Sequence, residues 1–341
     1  MAPSVGRGRI RVVVNKSTFR ATTAADESKI IELAARAFGA SANASFVDPI
    51  LLRWKYWLPR EDFPGPRAYV IERDGRIVAH AGLWPVIVGD ECGVHMIDWM
   101  SDPDTPGAGV SLLQKLTQQF DFIYGIGGSN ITLEILPKFG FNIVGEAYTW
   151  ARPLRPFQQV LHHQHKDWRI GARFARNLWW SRFPARSKHR GWVVVPTDAG
   201  SVKERDEGFF RYLRACPTTV CQTFQLRNGE RQEGFLALMT AEKQARIAGI
   251  WLREQSTENL RMAFELAQEA AVSHTDACEI VTRGLPEQSR IAAESAGMRL
   301  RENNSVFLYK KHGTTDGLAL GFQMADNDAI FLGERAPRFL T

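Results

Sequence analysis

The chain has 341 residues, 44% of them hydrophobic and 23% charged, which is ordinary for a globular protein and favours two domains. No run approaches roughly 18 apolar residues, so we expect no membrane-spanning helix, and the start lacks the apolar run of a secretory signal. The four scattered cysteines form no CxxC pair, so we expect reduced thiols in a cytoplasmic protein, without a zinc site or a disulfide framework.

The net charge of +6 is concentrated in one segment. Residues 151–190 hold ten lysines or arginines and one acid, so this segment carries +9 and the rest of the chain −3. The basic character therefore belongs to a linker and not to the folded bodies, and no specific binding to nucleic acid is predicted.

The first part of the chain has patterns of both helix and strand. In chain order they predict a strand fragment near Phe19, a helix ending at Gly39, a short helix over 48–58, a hairpin over 67–89 turning at Asp74-Gly75, a strand over 93–100, a helix from Val110, a strand over 121–128, a helix over 130–140 and a strand over 141–154.

A second body begins near residue 193 and repeats this architecture without obvious residue identity. It shows a hairpin around Asn228-Gly229, then strand, helix, strand, helix, strand. The predicted organisation is an N-terminal tail over 1–18, a first domain over 19–155, a basic aromatic linker over 156–192, a second domain over 193–311 and an extended tail over 312–341.

A glycine-rich turn separates the strand over 93–100 from the next helix. It reads DPDTPGAGV over 102–110 and matches neither a Walker loop nor a dinucleotide-binding fingerprint. Glycines let the backbone approach a ligand closely, and N–H groups at a helix start attract anions. The turn is therefore either a phosphate site or a strand-to-helix connection that needs glycine for its geometry.

The first body runs in the order hairpin, strand, Gly-x-Gly turn, helix, strand and a helix ending in Lys138-Phe139-Gly140. This order resembles that of the GCN5-related N-acetyltransferase (GNAT) family. The resemblance covers 19–155 well and 193–311 more faintly, as in tandem GNAT proteins linked to cell-surface polysaccharide synthesis. It implies an α/β (α+β) fold of two GNAT-like domains, each a mixed, mostly antiparallel sheet flanked by helices.

The resemblance also implies a co-substrate, acetyl-coenzyme A or another acyl-coenzyme A, whose pyrophosphate is held by backbone amides of the turn and whose pantetheine arm pairs with the preceding strand. The residues implied to bind it are Trp99, Met100, Thr105, Gly107, Ala108, Gly109, Val110 and Asn130.

Two positions depart from the family pattern. Asp104 stands where Arg or Gln is favoured three residues before the first glycine, and Leu136 stands where many members carry a thiolate-protonating Tyr. The second body has no glycine between Trp251 and Val272, so we expect only the first domain to bind coenzyme A.

Three residues are candidates for the chemistry of acyl transfer, which needs a base, an oxyanion donor and an acid. Strand alternation places Met96, Asp98 and Met100 on one apolar face, where Asp98 is either a base of raised pKa or a structural acid, and it places His95 on the other face. His80 is a second possible base or a structural histidine. Ser129 either caps the next helix or bonds the leaving sulfur.

Two aromatic segments suggest binding surfaces. Trp54, Tyr56 and Trp57 either form an acceptor lip suited to sugar rings or cover the core. The linker over 156–183 is either a basic amphipathic helix on the inner face of a membrane or an interdomain helix. The run His162-His163-Gln164-His165 lacks carboxylate or cysteine partners, so no metal is expected.

The sequence thus predicts an N-acyltransferase acting on a small-molecule or sugar amine, with acetyl as the simplest acyl group. The resemblance implies an amino sugar of a surface glycan as the acceptor. Two alternatives remain open, a FemABX-type transferase that uses aminoacyl-tRNA and a non-catalytic GNAT-fold binding protein. A FemABX-type transferase would not bind coenzyme A, and a non-catalytic binding protein would show no turnover.

Overall fold

The computed structural model describes residues 17–39, 44–88, 91–162, 168–181, 191–198, 202, 205–284, 287–313, 322–331 and 339–341. Within them, twelve strands form one continuous sheet with helices on both faces. None of the helices in these ranges is long and apolar enough to cross a membrane.

The first half of the chain supplies six strands and four helices, and two more helices follow it in the linker. Its elements are β1 (Ser17–Ala21), α1 (Glu27–Phe38), α2 (Pro49–Tyr56), β2 (Ala68–Arg73), β3 (Arg76–Val88), β4 (Glu91–Ser101), α3 (Ala108–Leu116), β5 (Phe122–Ile126), α4 (Asn130–Ile135), β6 (Asn142–Pro153), α5 (Pro156–Leu161) and α6 (Ile170–Ser181).

The second half repeats this order, with one described α-helix instead of two between its first two strands. Its elements are β7 (Trp192–Pro196), α7 (Glu207–Arg214), β8 (Val220–Asn228), β9 (Arg231–Ala241), β10 (Gln244–Leu252), α8 (Thr257–His274), β11 (Glu279–Gly284), α9 (Glu287–Ser295) and β12 (Arg299–Lys310). Two single-turn 3₁₀ helices over Met324–Asp326 and Asp328–Ile330 come after β12.

The two halves exchange their last strands. The strand order is β1-β2-β3-β4-β5-β12-β6-β11-β10-β9-β8-β7, so β12 lies between β5 and β6, and β6 lies between β11 and β12. The three contacts β5–β12, β12–β6 and β6–β11 are antiparallel. The next pairs outward, β4–β5 and β10–β11, are parallel. The prediction of a mixed, mostly antiparallel fold is thus confirmed. The two predicted sheets, however, are joined into one, and the alternation of side chains along a single strand could not indicate this joining.

The core has two sides, one on each face of the sheet. The face covered by α2 and α7, here called the α2 face, carries a cluster that spans both halves and includes Trp54, Trp84 and Phe210. The opposite face, here called the α3 face, carries a first-half cluster under α3 and a second-half cluster under α8 and α9. Each half therefore keeps its own core on the α3 face, and the two halves share one on the α2 face.

The segment 322–331, here called the bridging segment, packs into the shared core. Phe322, Met324, Ile330 and Phe331 are each at most 3% exposed. The prediction of an extended tail is wrong for these residues, because their apolar side chains follow short 3₁₀ turns that have no helix or strand period to recognise.

Candidate functional site

The strands β4 and β5 diverge inside the sheet. Their parallel pairing covers only three residue pairs, from Gly93 with Phe122 to His95 with Tyr124, although β4 continues to Ser101 and β5 to Ile126. The divergence opens a wedge whose β4 side leads directly to the glycine turn. Extended backbone at such a wedge can pair with an elongated ligand.

The glycine turn leaves the start of α3 without a side-chain cap among the described residues. Gly107 is the N-cap with φ +80°, a left-handed conformation that favours glycine, and no described atom lies within 4 Å of a Cβ built there. The Ala108 N–H donates to the Thr105 carbonyl at 3.2 Å, so the donors left at the start of α3 are the N–H groups of Gly109 and Val110, together with the partial positive charge of the helix start.

The other residues implied to bind the co-substrate differ in how accessible they are. Met100 and Ala108 are buried, so only their backbone can contact a ligand. A Cβ on Gly109 would lie 3.2 Å from Ser101, and the Trp99 indole donates to the Gly109 carbonyl at 3.2 Å. Thr105 and Val110 are half-buried, and Asn130 is exposed at the start of α4.

A buried carboxylate fixes the turn. Asp102 is 1% exposed and accepts hydrogen bonds from Arg36 at 3.2 Å and Arg76 at 2.6 Å. Its Oδ1 also accepts the backbone N–H of Asp104 at 3.1 Å. Asp104, the residue that differs from the family pattern, is itself exposed on the surface of the turn.

A β-bulge in β4 changes which side chains share a face. Asp98 and Trp99 both lie opposite Ala81, because His80 pairs with Met100 and Gly82 pairs with Ile97. Asp98 takes φ +48° and bonds to α2, while Trp99 packs on the α3 face.

The bulge makes two face assignments from the sequence wrong. Met96 packs on the α3 face, away from Asp98. His95 lies on the same face as Asp98, where it stacks on Tyr124 with ring centroids 4.8 Å apart. A face assignment based on strict alternation of side chains is wrong wherever one extra residue is inserted into the strand.

Asp98 forms the centre of a polar cluster on the α2 face. Its Oδ2 lies 2.5 Å from Lys55 Nζ and accepts the Tyr56 hydroxyl. Burial on its own would raise the pKa of Asp98, but the Lys55 charge and these two hydrogen bonds outweigh it and hold that pKa below its ordinary value. The expectation of a raised pKa is therefore wrong, and Asp98 is a paired, ionised carboxylate.

His80 is buried beside this cluster. Its Nδ1 lies 3.2 Å from the Asp98 carbonyl oxygen, so Nδ1 carries the proton and Nε2 is an acceptor. Nε2 is buried and has no hydrogen-bond partner among the described residues. Burial lowers the pKa of His80 to about 4, so the ring is neutral at pH 7.

The aromatic cluster around α2 separates into core and surface. Trp54 is 3% exposed and stacks on Tyr212 of α7 at 4.7 Å, which favours the interpretation as core for this residue. Tyr56 is buried with its hydroxyl on Asp98. Trp57 is half-buried and donates to Thr22 Oγ1 at 3.1 Å, so it is the one of the three predicted residues that reaches the surface.

Ser129 caps α4. Its Oγ accepts the Thr132 N–H at 3.3 Å and lies 3.1 Å from Thr132 Oγ1, which favours the capping interpretation. Leu136 is 1% exposed and packs in the first-half core of the α3 face. Its side chain therefore has no proton to donate to a leaving thiolate.

The second half has a matching wedge that its own chain enters. The strands β10 and β11 also pair over three residues only. Gln323 of the bridging segment accepts the Ile250 N–H at 2.6 Å and forms an antiparallel bridge to Gly284. A cavity of about 90 Å³ remains beside it.

The start of α8 also differs from that of α3. The Ser256 side chain caps it by accepting the Asn259 N–H at 3.1 Å, and Glu258 stands at the second helical position, where α3 has Gly109. An occupied wedge and a capped, acidic helix start both support the prediction that only the first half holds an acyl-coenzyme A.

The bridging segment brings a further carboxylate to the Asp98 cluster. Burial and the Asp98 charge raise the pKa of Asp328 to about 6, against the opposing charges of Arg283 and Lys55. Sequence reasoning missed Asp328 and Arg283, because both come from parts of the chain more than 180 residues after Asp98 and no local motif marks them.

The linker helices pack partly against the sheet. Asn177 of α6 is buried and donates to Gln159 of α5 at 3.1 Å, and Arg301 of β12 lies 5.7 Å from the Trp180 ring.

His163 and His165 lie outside the described residues. Within the described residues, no group of three or more His, Cys, Asp or Glu could hold a metal ion.

Comparison with known proteins gives structural matches only. No protein-family model matches the sequence, and no curated protein matches it. A putative acetyltransferase from Pyrococcus horikoshii has a TM-score of 0.52 at 12% identity, with 94% of this chain and 95% of that chain covered.

Two further solved structures are similar. A tandem GNAT protein from the clavulanic acid biosynthesis pathway has a TM-score of 0.51 at 11% identity, with 88% of this chain and all of that chain covered. A GCN5-related glucosamine N-acetyltransferase region of a fungal multi-domain GH3 β-N-acetylglucosaminidase has a TM-score of 0.55 at 10% identity, with 87% of this chain and 38% of that chain covered. The chain therefore has the fold of the GCN5-related N-acetyltransferases, built twice in tandem on one sheet.

Proposed function

We propose that this chain is an acyl-coenzyme A-dependent N-acyltransferase whose first half transfers an acyl group, most simply acetyl, to an amine. The observation that carries the proposal is the wedge between β4 and β5 next to the uncapped start of α3. An elongated ligand with a pyrophosphate group fits that combination, because the wedge offers extended backbone and the turn offers N–H donors.

The residues of the turn fit such a ligand sterically. Gly107 leaves open space where a side chain would project, and Gly109 keeps the second helical position free of any side chain. When bound, the thioester supplies an activated acyl carbon. The chain supplies the anion site at the turn and, on the α2 face, the polar cluster around Asp98.

Calorimetric titration with acetyl-coenzyme A tests the site. Gly109→Glu places at α3 the residue type that the second half has at Glu258, and we expect it to weaken binding at least about tenfold, since a carboxylate at a helix start repels an anion. The matched control is Gly109→Gln, which brings the same crowding against Ser101 without the charge and should weaken binding less. A folded wild-type protein that binds no acetyl-coenzyme A would overturn the proposal and favour the tRNA-dependent or the non-catalytic alternative.

We propose an amino sugar of a surface polysaccharide as the acceptor. Trp57 supports this, because a half-buried indole beside the Asp98 cluster offers a flat apolar surface to a sugar ring. The similar fungal region is described as a glucosamine N-acetyltransferase. With glucosamine as acceptor, Trp57→Ala should raise the acceptor KM about tenfold and leave the acetyl-coenzyme A KM unchanged. Unchanged acceptor KM with lost stability would assign Trp57 to the core.

We also propose that the linker helices contact an anionic membrane surface. Phe157, Leu161, Trp168 and Trp179 are between 57% and 86% exposed, and Arg169 is exposed next to Trp168. Apolar side chains beside cations suit the interface of an anionic bilayer. Flotation with phosphatidylserine vesicles should recover the wild-type protein at low salt and lose it in Trp168→Glu/Trp179→Glu. Equal recovery of both proteins would contradict the proposal.

A further inference from the structure

Asp328 is held in place by its neighbours in the bridging segment. The Trp84 indole donates to the Ala325 carbonyl at 2.8 Å, and Arg246 donates to the Ala329 carbonyl at 2.9 Å. The Phe331 ring packs on Trp84 at 5.1 Å. With contacts on both sides of it, the backbone of Asp328 has a fixed position on the α2 face.

Asp328 keeps partial exposure within an otherwise buried stretch. Asn327 is 0% and Ala329 is 8% exposed, whereas Asp328 is partly exposed. Among the described residues, Asp328 makes no ion pair and no side-chain hydrogen bond with another residue, in contrast to Asp326, which pairs with Arg205. Asp328 is therefore a carboxylate that is positioned by its backbone, is partly exposed and has no side-chain partner among the described residues.

The surroundings of Asp328 come from both halves. The bridging segment contacts the cluster on either side of Asp328: Lys55 Nζ lies 5.8 Å from the centre of the Phe331 ring, and the Tyr124 hydroxyl donates to the Asp326 carbonyl. The titratable and charged groups that face Asp328 from α2, β4, β5 and β11 are Lys55, Tyr56, Asp98, Tyr124 and Arg283. Lys55 is already bound to Asp98 at 2.5 Å. The proximity of Asp98 makes protonation of Asp328, or the approach of a cation, more favourable than at an isolated carboxylate.

We propose that Asp328 binds the ammonium group of the acceptor and takes its proton, so that the acceptor is a primary amine that is charged at neutral pH. This inference rests on the proposed acyl-transferase function. The other groups of the cluster suit this role less well, since the Asp98 carboxylate is bound by Lys55 and Tyr56, and His80 is a buried neutral ring.

The step balances without a further reactant. One ammonium proton passes to the Asp328 carboxylate, and the free amine nitrogen forms a bond to the acyl carbon of the acyl-coenzyme A. The carbon–sulfur bond then breaks, and the sulfur leaves with the electron pair. The departing thiolate takes up the second proton that nitrogen loses, and Asp328 returns its proton to water. The products are an amide, the free thiol and one proton.

The test compares two kinds of acceptor with acetyl-coenzyme A as donor. Hydroxylamine is uncharged at neutral pH and needs no base, whereas ethanolamine, spermidine and glucosamine carry ammonium groups that do. We expect Asp328→Asn to lower kcat/KM for a charged amine about 100-fold, the lower range for loss of a general base, and the hydroxylamine rate less than threefold. Asp328→Glu should restore part of the amine activity, and Asp74→Asn, in an exposed turn, is the control.

A pH profile and a binding measurement complete the test. For the wild type, kcat/KM for a charged amine should fall tenfold per pH unit below about pH 6, and this limb should vanish in Asp328→Asn. Acetyl-coenzyme A binding should be the same in both proteins. Equal amine rates, an equal loss with hydroxylamine, or wild-type activity on hydroxylamine alone would each overturn the inference. Absence of both acetyl-coenzyme A binding and hydroxylamine turnover in the wild type would overturn the proposed function and this inference with it.

Discussion

Replacing Asp328 by Asn should stabilise the fold at neutral pH. The pKa of Asp328 is raised from 3.8 to about 6 in the folded protein, so the folded state holds this proton more tightly than the unfolded chain. Ionisation of Asp328 is then unfavourable to folding, and a pKa of about 6 in place of 3.8 corresponds to a cost of about 3 kcal/mol. The cost is absent below about pH 4, grows between pH 4 and 6 and is complete above that range.

Urea denaturation at pH 4.0 and pH 7.5 measures this effect. We expect the free energy of unfolding of Asp328→Asn to exceed that of the wild type by about 2–3 kcal/mol at pH 7.5 and by less than about 0.5 kcal/mol at pH 4.0. Asp326→Asn is the matched control in the same segment, and it should destabilise the protein because it weakens the buried pair with Arg205. Destabilisation by Asp328→Asn at pH 7.5 would show that Asp328 is structurally paired and would refute the reasoning.

Three further predictions concern other parts of the fold. Lys55→Met should lower the free energy of unfolding in urea by about 3–5 kcal/mol, because it leaves the Asp98 charge buried without its cation, and a cost below 1 kcal/mol would contradict the role of this pair. Thr341→Val removes a hydroxyl that donates to the buried Glu279 at 2.5 Å and should cost about 2 kcal/mol in the same assay, whereas an unchanged midpoint would show that water replaces it. A chain split after residue 191 should give two fragments that are unfolded apart and folded when mixed, as followed by circular dichroism, and independent folding of either fragment would contradict the importance of strand exchange.

Local features of the fold could be predicted from the sequence. The hairpin turn at Asp74-Gly75 has positive φ at both residues, as expected for an Asp-Gly pair, and Gly39 ends α1 in the left-handed conformation. The glycine turn is recognisable in the sequence because Gly107 takes φ +80°, a left-handed conformation that favours glycine. Such features depend on a few neighbouring residues, so a single sequence contains them.

The parts of the site that depend on distant chain segments could not be predicted. The bulge at Asp98 inserts one residue without a glycine or proline to mark it. Lys55 reaches Asp98 from a helix 43 residues away in the chain, and Asp328 arrives on turns with no periodic pattern. Alternation and periodicity describe the faces of single elements, and they contain no information about which elements meet.

Strand exchange also determines when the protein can fold during synthesis. The strands β5 and β6 leave the ribosome with a gap between them that only β12 fills, and β12 is completed roughly 150 residues after β6 ends at Pro153. At about 5–20 residues per second, this interval lasts roughly 8–30 s. During that time two neighbouring strand edges of the nascent first half stay unpaired and are exposed to aggregation. We therefore expect the nascent chain to depend on chaperones until Lys310 has emerged, and slowing translation between the two strands should lower the yield of folded protein.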